Sequence, residues 1–496
     1  MIIAIGLFLT ISSCNKNDDE IVSVELNSEV NDFIWNGLNY WYFWQDDQPN
    51  LADDRFSSID DFNTYLNGFS NSQDLFNSLI YKPGEVDDFS WYIPDVNEQL
   101  NSFRGISKSY GIGFPRSLTR VSQNSDDVVI FIAYVVEGSP ADLAGLKRGD
   151  IVSRVDGERM TTGNGAIINK VFSEENITLG LANIENETLI PIDGEIALTA
   201  ETITSNPVHY STIIEQGGRK IGYLVYNGFR NTFNGELNEV FGTFKSEGIN
   251  ELILDLRYNG GGSVLTSSHL ASMINGSIPA QNDAFARLEY NSKREADEGF
   301  TFTFFDEVFL FDKTTSQRTG DEVANRLSNI NRLYVLTSRS TASASEMIIN
   351  GLRPYMPVTI IGERTVGKNE GSITVVDSPA SGNDPFTNLN NRNSNHTVGM
   401  QPIVFQVFNS LNQSDYTFGF EPDILVEEFR FLADIKPFGD PTEALLNVAL
   451  QQITGSSTSK TKEMVPNFNM SKSIELKLPK FTDEMYLQNQ DMLLQK

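Results

Sequence analysis

The stretch Leu333–Tyr355, "LYVLTSRSTASASEMIINGLRPY", decides how the second half of the chain is read. It opens on a short strand-like run, "LYVLT". Small residues and hydroxyls then crowd a turn, a glutamate follows at Glu346, and an apolar helical run begins only after it. Strand, turn and helix in that order mark an α/β unit. Backbone N–H groups at a helix start lack intrahelical partners and carry partial positive charge. A serine there suits two jobs: capping the helix, or attacking a carbonyl whose charge those N–H groups stabilise. This stretch alone does not separate them, and caps are the commoner use.

The same alternation surrounds it. "IGYLVY" (221–226), "ELILDL" (251–256) and "VTIIG" (358–362) are apolar strand runs. "LNEVFGTFKSEG" (237–248) puts Leu237, Val240, Phe241 and Phe244 on one helical face, with Gly248 as its stop. "DPTEALLNVALQQITG" (440–455) closes the region as a helix. Continuously apolar strands alternating with helices predict an α/β layer with buried, mostly parallel strands over 204–455. Residues 101–203 read mostly as strands. "DVVIFIAYVV" (127–136) is followed by "SPADLAGL" (139–146), a short helix with Pro140 near its first turn and Gly145 near its end. "GDIVSRVDGE" (149–158) is a strand entering an Asp156-Gly157 turn. Residues 29–100 read as helical, with Val30, Phe33, Ile34, Leu38 and Trp41 at helical spacing and "SQDLFNSLIY" (72–81) as a second helix. The aromatic-rich "WNGLNYWYFW" (35–44) is read as core rather than a ligand box.

Length and composition bound the function. A chain of 496 residues exceeds one ordinary core. Its net charge of −29, from 37 basic and 66 acidic residues with no local basic patch, argues against nucleic-acid partners. One cysteine and three histidines, His209, His269 and His396, form no zinc-spaced cluster, so no metal and no cofactor is expected. The cysteine is Cys14, at the end of "MIIAIGLFLTISSC", an apolar run too short to span a bilayer. Ser12 and Ser13 precede it and "NKNDDE" follows. That arrangement looks like a lipoprotein lipobox, which implies a signal peptide over 1–14, acylation of Cys14 and a lipid anchor in a bacterial cell envelope, periplasmic or surface-facing. Residues 15–28 then read as an acidic tether, and 456–496 as a polar, mobile tail.

Just past the "VTIIG" strand lies "VGKNEGSITV" (366–375), with Lys368 beside Gly367. A lysine serves as a general base only when neutral, which requires an enclosed site to lower its pKa from ~10.4. The ordinary alternative is a solvated loop lysine.

Taken in order, these motifs resemble the C-terminal processing, or tail-specific, serine peptidases. "TASASE" (341–346) matches the family's nucleophile motif, and the Gly-Lys pair follows at the family's separation of 25 residues (368 − 343). "DLRYNGGG" (255–262) and "GFEPDI" (419–424) match two further elements. The resemblance, over roughly 100–450, implies Ser343 as nucleophile and Lys368 as its base. It also implies an oxyanion hole from Ala344 and one N–H of the glycine turn; Gly261 is chosen among its three glycines. The 101–203 segment resembles the PDZ domains of bacterial proteases, with "YGIGF" (110–114) as the carboxylate-binding loop through Gly111, Ile112, Gly113 and Phe114. Glycines there let backbone N–H groups converge on a terminal carboxylate, while the adjoining strand edge pairs with the peptide.

The implied architecture is multidomain α+β and α/β: a helical N-terminal domain, a β-barrel-like PDZ domain and a core of the type shared with Clp-protease and crotonase-like folds. The implied activity is cleavage of polypeptides bound by their C-termini, with the oligomeric state open. One departure stands out. The best-known members place after the lysine a glutamine that orients it, whereas this chain offers Ser372 or Thr374 as the third member. Glu370 would face the same side of the strand but hold the lysine charged. A Ser-His-Asp triad is not indicated, since all three histidines read as structural. Two other classes are a peptide-binding scaffold without turnover and a small-thioester hydrolase on a crotonase-like core.

Overall fold

The computed structural model describes residues 23–185, 188–277, 283–379, 385–455, 471–478 and 482–488. Cys14, the signal peptide, the tether up to residue 22 and residues 456–470 lie outside the described residues. The end of the tether is not loose: the Val24 N–H donates to Asp60 Oδ1 at 3.0 Å and the Asn27 N–H to Asn67 Oδ1 at 2.8 Å. Polar side chains on the neighbouring helix Ile59–Asn67 satisfy its backbone.

At the centre is a six-stranded sheet ordered Val208–Gln216, Arg219–Tyr226, Glu251–Asp255, Leu333–Thr337, Val358–Gly362 and Ile424–Leu425. Only its first pair is antiparallel. Glu251–Asp255 and Leu333–Thr337 are buried along their whole length, as strands covered on both faces must be. The helix Asn234–Glu247 stops at Gly248, which takes φ 68° as a left-handed cap. Helices Val264–Ile274 and Ala344–Leu352 are buried at every residue. Where the strands end, Arg257 is fully buried among three carboxylates, Asp255, Glu428 and Glu443, pinning the turn after Glu251–Asp255 to the closing helix Ala444–Thr454.

The N-terminal helices Glu29–Trp41 and Ser72–Leu79 form where the periodicity places them, and Ile59–Asn67 and Val96–Phe103 add two that were not singled out. The aromatic run is core: Trp41 and Tyr42 are fully buried. These helices do not fold on a core of their own, because Leu38 and Trp41 share one cluster with Leu254 and Met347 of the central layer. A short strand, Trp91–Ile93, pairs with Gly399–Gln401, so the unit is tied into the core by backbone as well.

The 101–203 segment has its own core, with Leu118, Val128, Ile130, Val152 and Leu179 buried together. Its antiparallel sheet runs Thr188–Pro191, Asn176–Glu185, Ile151–Val155, Val128–Phe131, Ser117–Arg120 and then Ser471–Glu475. That last strand corrects the expectation of a mobile tail after 456. A second strand, Glu484–Leu487, lies between Gly261–Ser263 and Glu370–Ile373, parallel to both. Sheet edges there offer unpaired N–H and C=O groups, and the segment satisfies them.

Candidate active site

Three hydroxyls around the start of Ala344–Leu352 are tied to the "DLRYNGGG" segment. Ser338 Oγ donates to the Arg257 carbonyl, Thr341 Oγ1 to Leu256 O at 2.8 Å and Ser345 Oγ to Asn259 O at 3.1 Å. The Ser340 N–H is held by Ser338 Oγ at 3.0 Å. Ser343 differs. Its hydroxyl is fully buried and makes no hydrogen bond within the described residues. It stands at the N-cap with φ 63° and ψ −117°, a conformation that costs a non-glycine residue about 1–3 kcal/mol and clusters at functional sites. Strain at this position, with no hydrogen bond from the side chain to the helix start, leaves the hydroxyl unspent.

Glu346 holds this turn in place. Its Oε2 accepts the Ser343 N–H at 2.8 Å and the Lys368 N–H at 2.9 Å. Its Oε1 accepts the Gly367 N–H at 2.7 Å and the Thr365 hydroxyl at 2.5 Å. One carboxylate oxygen thus joins the backbone of Ser343 to that of Lys368. Burial raises the Glu346 carboxyl more than these four donors lower it, leaving it at about 7. With each oxygen accepting twice, the ionised form is the one that fits.

Lys368 is completely buried, and burial pulls its amine below the ordinary lysine value. Glu370, Asp483, Glu484 and Asp87 pull the other way. Burial also pushes Glu370 and Glu484 up to about 8 each. Burial thus acts on the amine, Glu370 and Glu484 in the same sense, against their charged forms. The amine lies 4.7 Å from the ring centre of Phe89, a residue of the N-terminal unit. Its hydrogen bond goes to the Asp483 carbonyl at 2.8 Å rather than to Ser343.

Two expected roles are corrected. Neither Ser372 nor Thr374 hydrogen-bonds Lys368: Ser372 Oγ donates to Met485 O at 3.1 Å and accepts from Gln401 at 3.0 Å, and Thr374 Oγ1 donates to Gln401 Oε1 at 2.9 Å. Gln401 engages both hydroxyls, and Glu370 is the residue of this strand that acts electrostatically on the amine. The Gly261 N–H, the chosen second oxyanion donor, is given to Asn259 Oδ1 at 2.8 Å, an Asx turn closing on itself. Gly261 matters here for space: a Cβ on it would lie 2.7 Å from Ser343 Cβ. Ala344 keeps its expected place as the first residue of the helix, where the N–H has no intrahelical acceptor.

The histidines are structural. His269 sits against Phe305 and Phe309, with burial pushing it down to about 3. His209 packs on Tyr134 and Phe438 and is lowered to about 4, again by burial. His396 pairs with Asp377 at 3.1 Å. In the PDZ segment Gly111 takes φ 79°, and a Cβ on Gly113 would lie 2.1 Å from the Tyr134 ring. Ile112–Gly113 pairs with Tyr134–Val135, and Ile112 and Phe114 pack on the PDZ core. Among the described residues no group of three or more metal-ligating side chains occurs, and no helix is long and apolar enough to cross a membrane.

The Glu346 clamp and Phe89 were missed from sequence. Glu346 stood inside a quoted motif, but its four partners lie up to 22 residues away. Phe89 carried no local signal.

The chain is similar to known proteins over much of its length. Residues 220–384 match the model of peptidase family S41, residues 29–91 the S41 N-terminal domain and residues 131–167 a PDZ domain. The chain is 27% identical over 283 residues to the C-terminal processing peptidase of the chloroplast of Tetradesmus obliquus, covering 54% of this chain and 53% of that protein. It is 22% identical over 322 residues to a CtpA-like serine protease of Staphylococcus aureus (strain COL), covering 61% and 56%. The chain therefore spans about half the length of these curated relatives. A crystal structure of a protein from Bacteroides fragilis NCTC 9343 assigned to the S41 proteases superposes with a TM-score of 0.63 at 27% identity, covering 86% of this chain and 97% of that one.

Proposed function

We propose that this chain, which carries an S41 peptidase core with its N-terminal domain and a PDZ domain, is a serine endopeptidase working through Ser343 and Lys368. The observation that carries the reading is the Glu346 carboxylate, which ties both backbones to one oxygen beside a buried Ser343 hydroxyl with no hydrogen bond among the described residues. Neutral Lys368 takes the Ser343 proton as the oxygen attacks a peptide carbonyl. The Ala344 N–H and the positive end of its helix take up the oxyanion charge. Lys368 returns the proton to the leaving amine, and water hydrolyses the acyl-enzyme. The PDZ domain brings in polypeptides by their C-termini, with Gly111–Phe114 receiving the carboxylate.

A polypeptide kept unfolded, incubated with the chain and followed by mass spectrometry, tests this. Fragments should appear, and amidating the substrate's C-terminus should slow their release several-fold. Bound but intact substrate would favour the scaffold reading, whose support is the Lys368 amine resting on Asp483 instead of Ser343.

The cell-envelope placement rests on the sequence around Cys14. On this reading the chain partitions with membranes, and Cys14→Ser moves it to the soluble fraction. Unchanged partitioning of that variant would remove the lipid anchor.

A further inference from the structure

Two peptide-binding features of this chain are already filled, and by the same segment. Ser471–Glu475 adds antiparallel to Ser117–Arg120, the strand that continues from the Gly111–Phe114 loop. The Leu476 N–H donates to Arg116 O at 2.8 Å, so the segment runs on toward that loop. Leu476 is buried in the PDZ core, and Ile474 and Leu478 pack against it. These are the contacts of strand addition: backbone bonds along an edge, with alternate side chains in an apolar groove.

Within a few residues the segment reaches the cleft. The Glu484 N–H donates to Gly260 O at 2.9 Å, and Glu484–Leu487 lies between the glycine turn and the strand after Lys368. The Asp483 carbonyl holds the Lys368 amine at 2.8 Å. A Cβ on Gly261 would stand 2.0 Å from Glu484 O and 2.7 Å from Ser343 Cβ, so this main chain passes directly beside the nucleophile. Charges and rings fix its path: Lys472 meets Glu363, Arg116 meets Asp483, Arg339 lies 3.5 Å from Glu475, and Tyr486 stacks on Phe103 at 3.8 Å. The base of the proposed reaction is bonded to a peptide carbonyl of the chain itself.

We infer that the PDZ strand edge and the Ser343–Lys368 cleft form one polypeptide lane, and that residues 471–478 and 482–488 are its resident ligand, excluding other peptides until displaced. The inference rests on reading that cleft as a peptidase site. It also specifies the ligand. The lane takes an extended polypeptide with aliphatic side chains at alternate positions, as in Ile474, Leu476 and Leu478. One such residue lies eight positions (484 − 476) before the residue beside the nucleophile.

The test compares the full chain with its Leu476→Asp, Tyr486→Asp double variant. The probe is a fluorescent peptide of the 471–488 sequence, "SKSIELKLPKFTDEMYLQ", read by anisotropy. The double variant should bind it at least tenfold tighter than the unaltered chain does, and a probe carrying Asp at the three aliphatic positions should not bind. Cleavage of an unfolded polypeptide at low concentration should rise by a similar factor in the double variant and fall again when the peptide is added. Equal binding by both folded proteins, or tight binding of the Asp-substituted probe, overturns the inference. If the double variant melts, Lys472→Glu, which breaks the contacts with Glu363 and the Phe429 ring, carries the same comparison. Tight peptide binding without cleavage in any form sinks the proteolytic reading and leaves the lane standing.

Discussion

Lys368→Ala is expected to lower polypeptide cleavage by about three orders of magnitude while leaving substrate affinity within a few-fold. General bases contribute roughly 10²–10⁴ in rate. The enclosure of this amine leaves a bulk-water substitute little access. Lys368→Arg should be as inactive, because a guanidinium stays protonated and cannot take the serine proton. The pH profile gives the sign. The active form is the neutral amine, so kcat/KM should rise with pH through the Lys368 pKa. That pKa lies below the ordinary lysine value because burial disfavours the ammonium. The acid limb should vanish from whatever residual activity Lys368→Ala retains. A flat profile in the unaltered chain, or an unchanged rate in Lys368→Ala, would remove the lysine from the mechanism.

The second large effect is expected at Glu346. Alanine there strands three buried N–H groups and the Thr365 hydroxyl that its carboxylate now accepts. Each unpaired buried group costs about 1–3 kcal/mol, with partial relaxation by neighbours. A loss of about 3–5 kcal/mol in stability is therefore expected from Glu346→Ala, read as a lowered urea midpoint. In whatever fraction stays folded, kcat should fall far more than KM rises, because Glu346 meets the backbones of Ser343 and Lys368 rather than substrate. Glu346→Gln keeps the volume but replaces one double acceptor by an amide NH2 facing N–H donors, and should recover little of either loss. Full activity in a folded Glu346→Gln would show that the clamp is dispensable.

Much of this site was legible because its parts are local. The turn and helix around Ser343 and the Gly-Lys pair lie on short contiguous stretches, each following a strand that the apolar runs announce. The glycine turn was legible for the same reason, although the use of its N–H groups was not: Asn259 takes the one expected from Gly261. The third member was misplaced because Gln401, 29 and 27 residues away in sequence, engages the hydroxyls of Ser372 and Thr374. The 471–488 strands were passed over as tail. Yet "SKSIELKL" does alternate, with Ile474, Leu476 and Leu478 two apart, a period-two signal too short to stand out in a polar surround. No local pattern reveals that such a strand pairs with residues more than a hundred or even three hundred positions away, or that Phe89 lies against the lysine.

The central claim is that Ser343 is a nucleophile activated by Lys368. It is tested most directly by treating the folded chain with a biotinylated fluorophosphonate and locating the adduct by peptide mass spectrometry. The account predicts one adduct, on Ser343, absent from Ser343→Ala and formed at least a hundredfold more slowly in Lys368→Ala. An adduct on another residue, or equal labelling of Ser343 with and without Lys368, would contradict it.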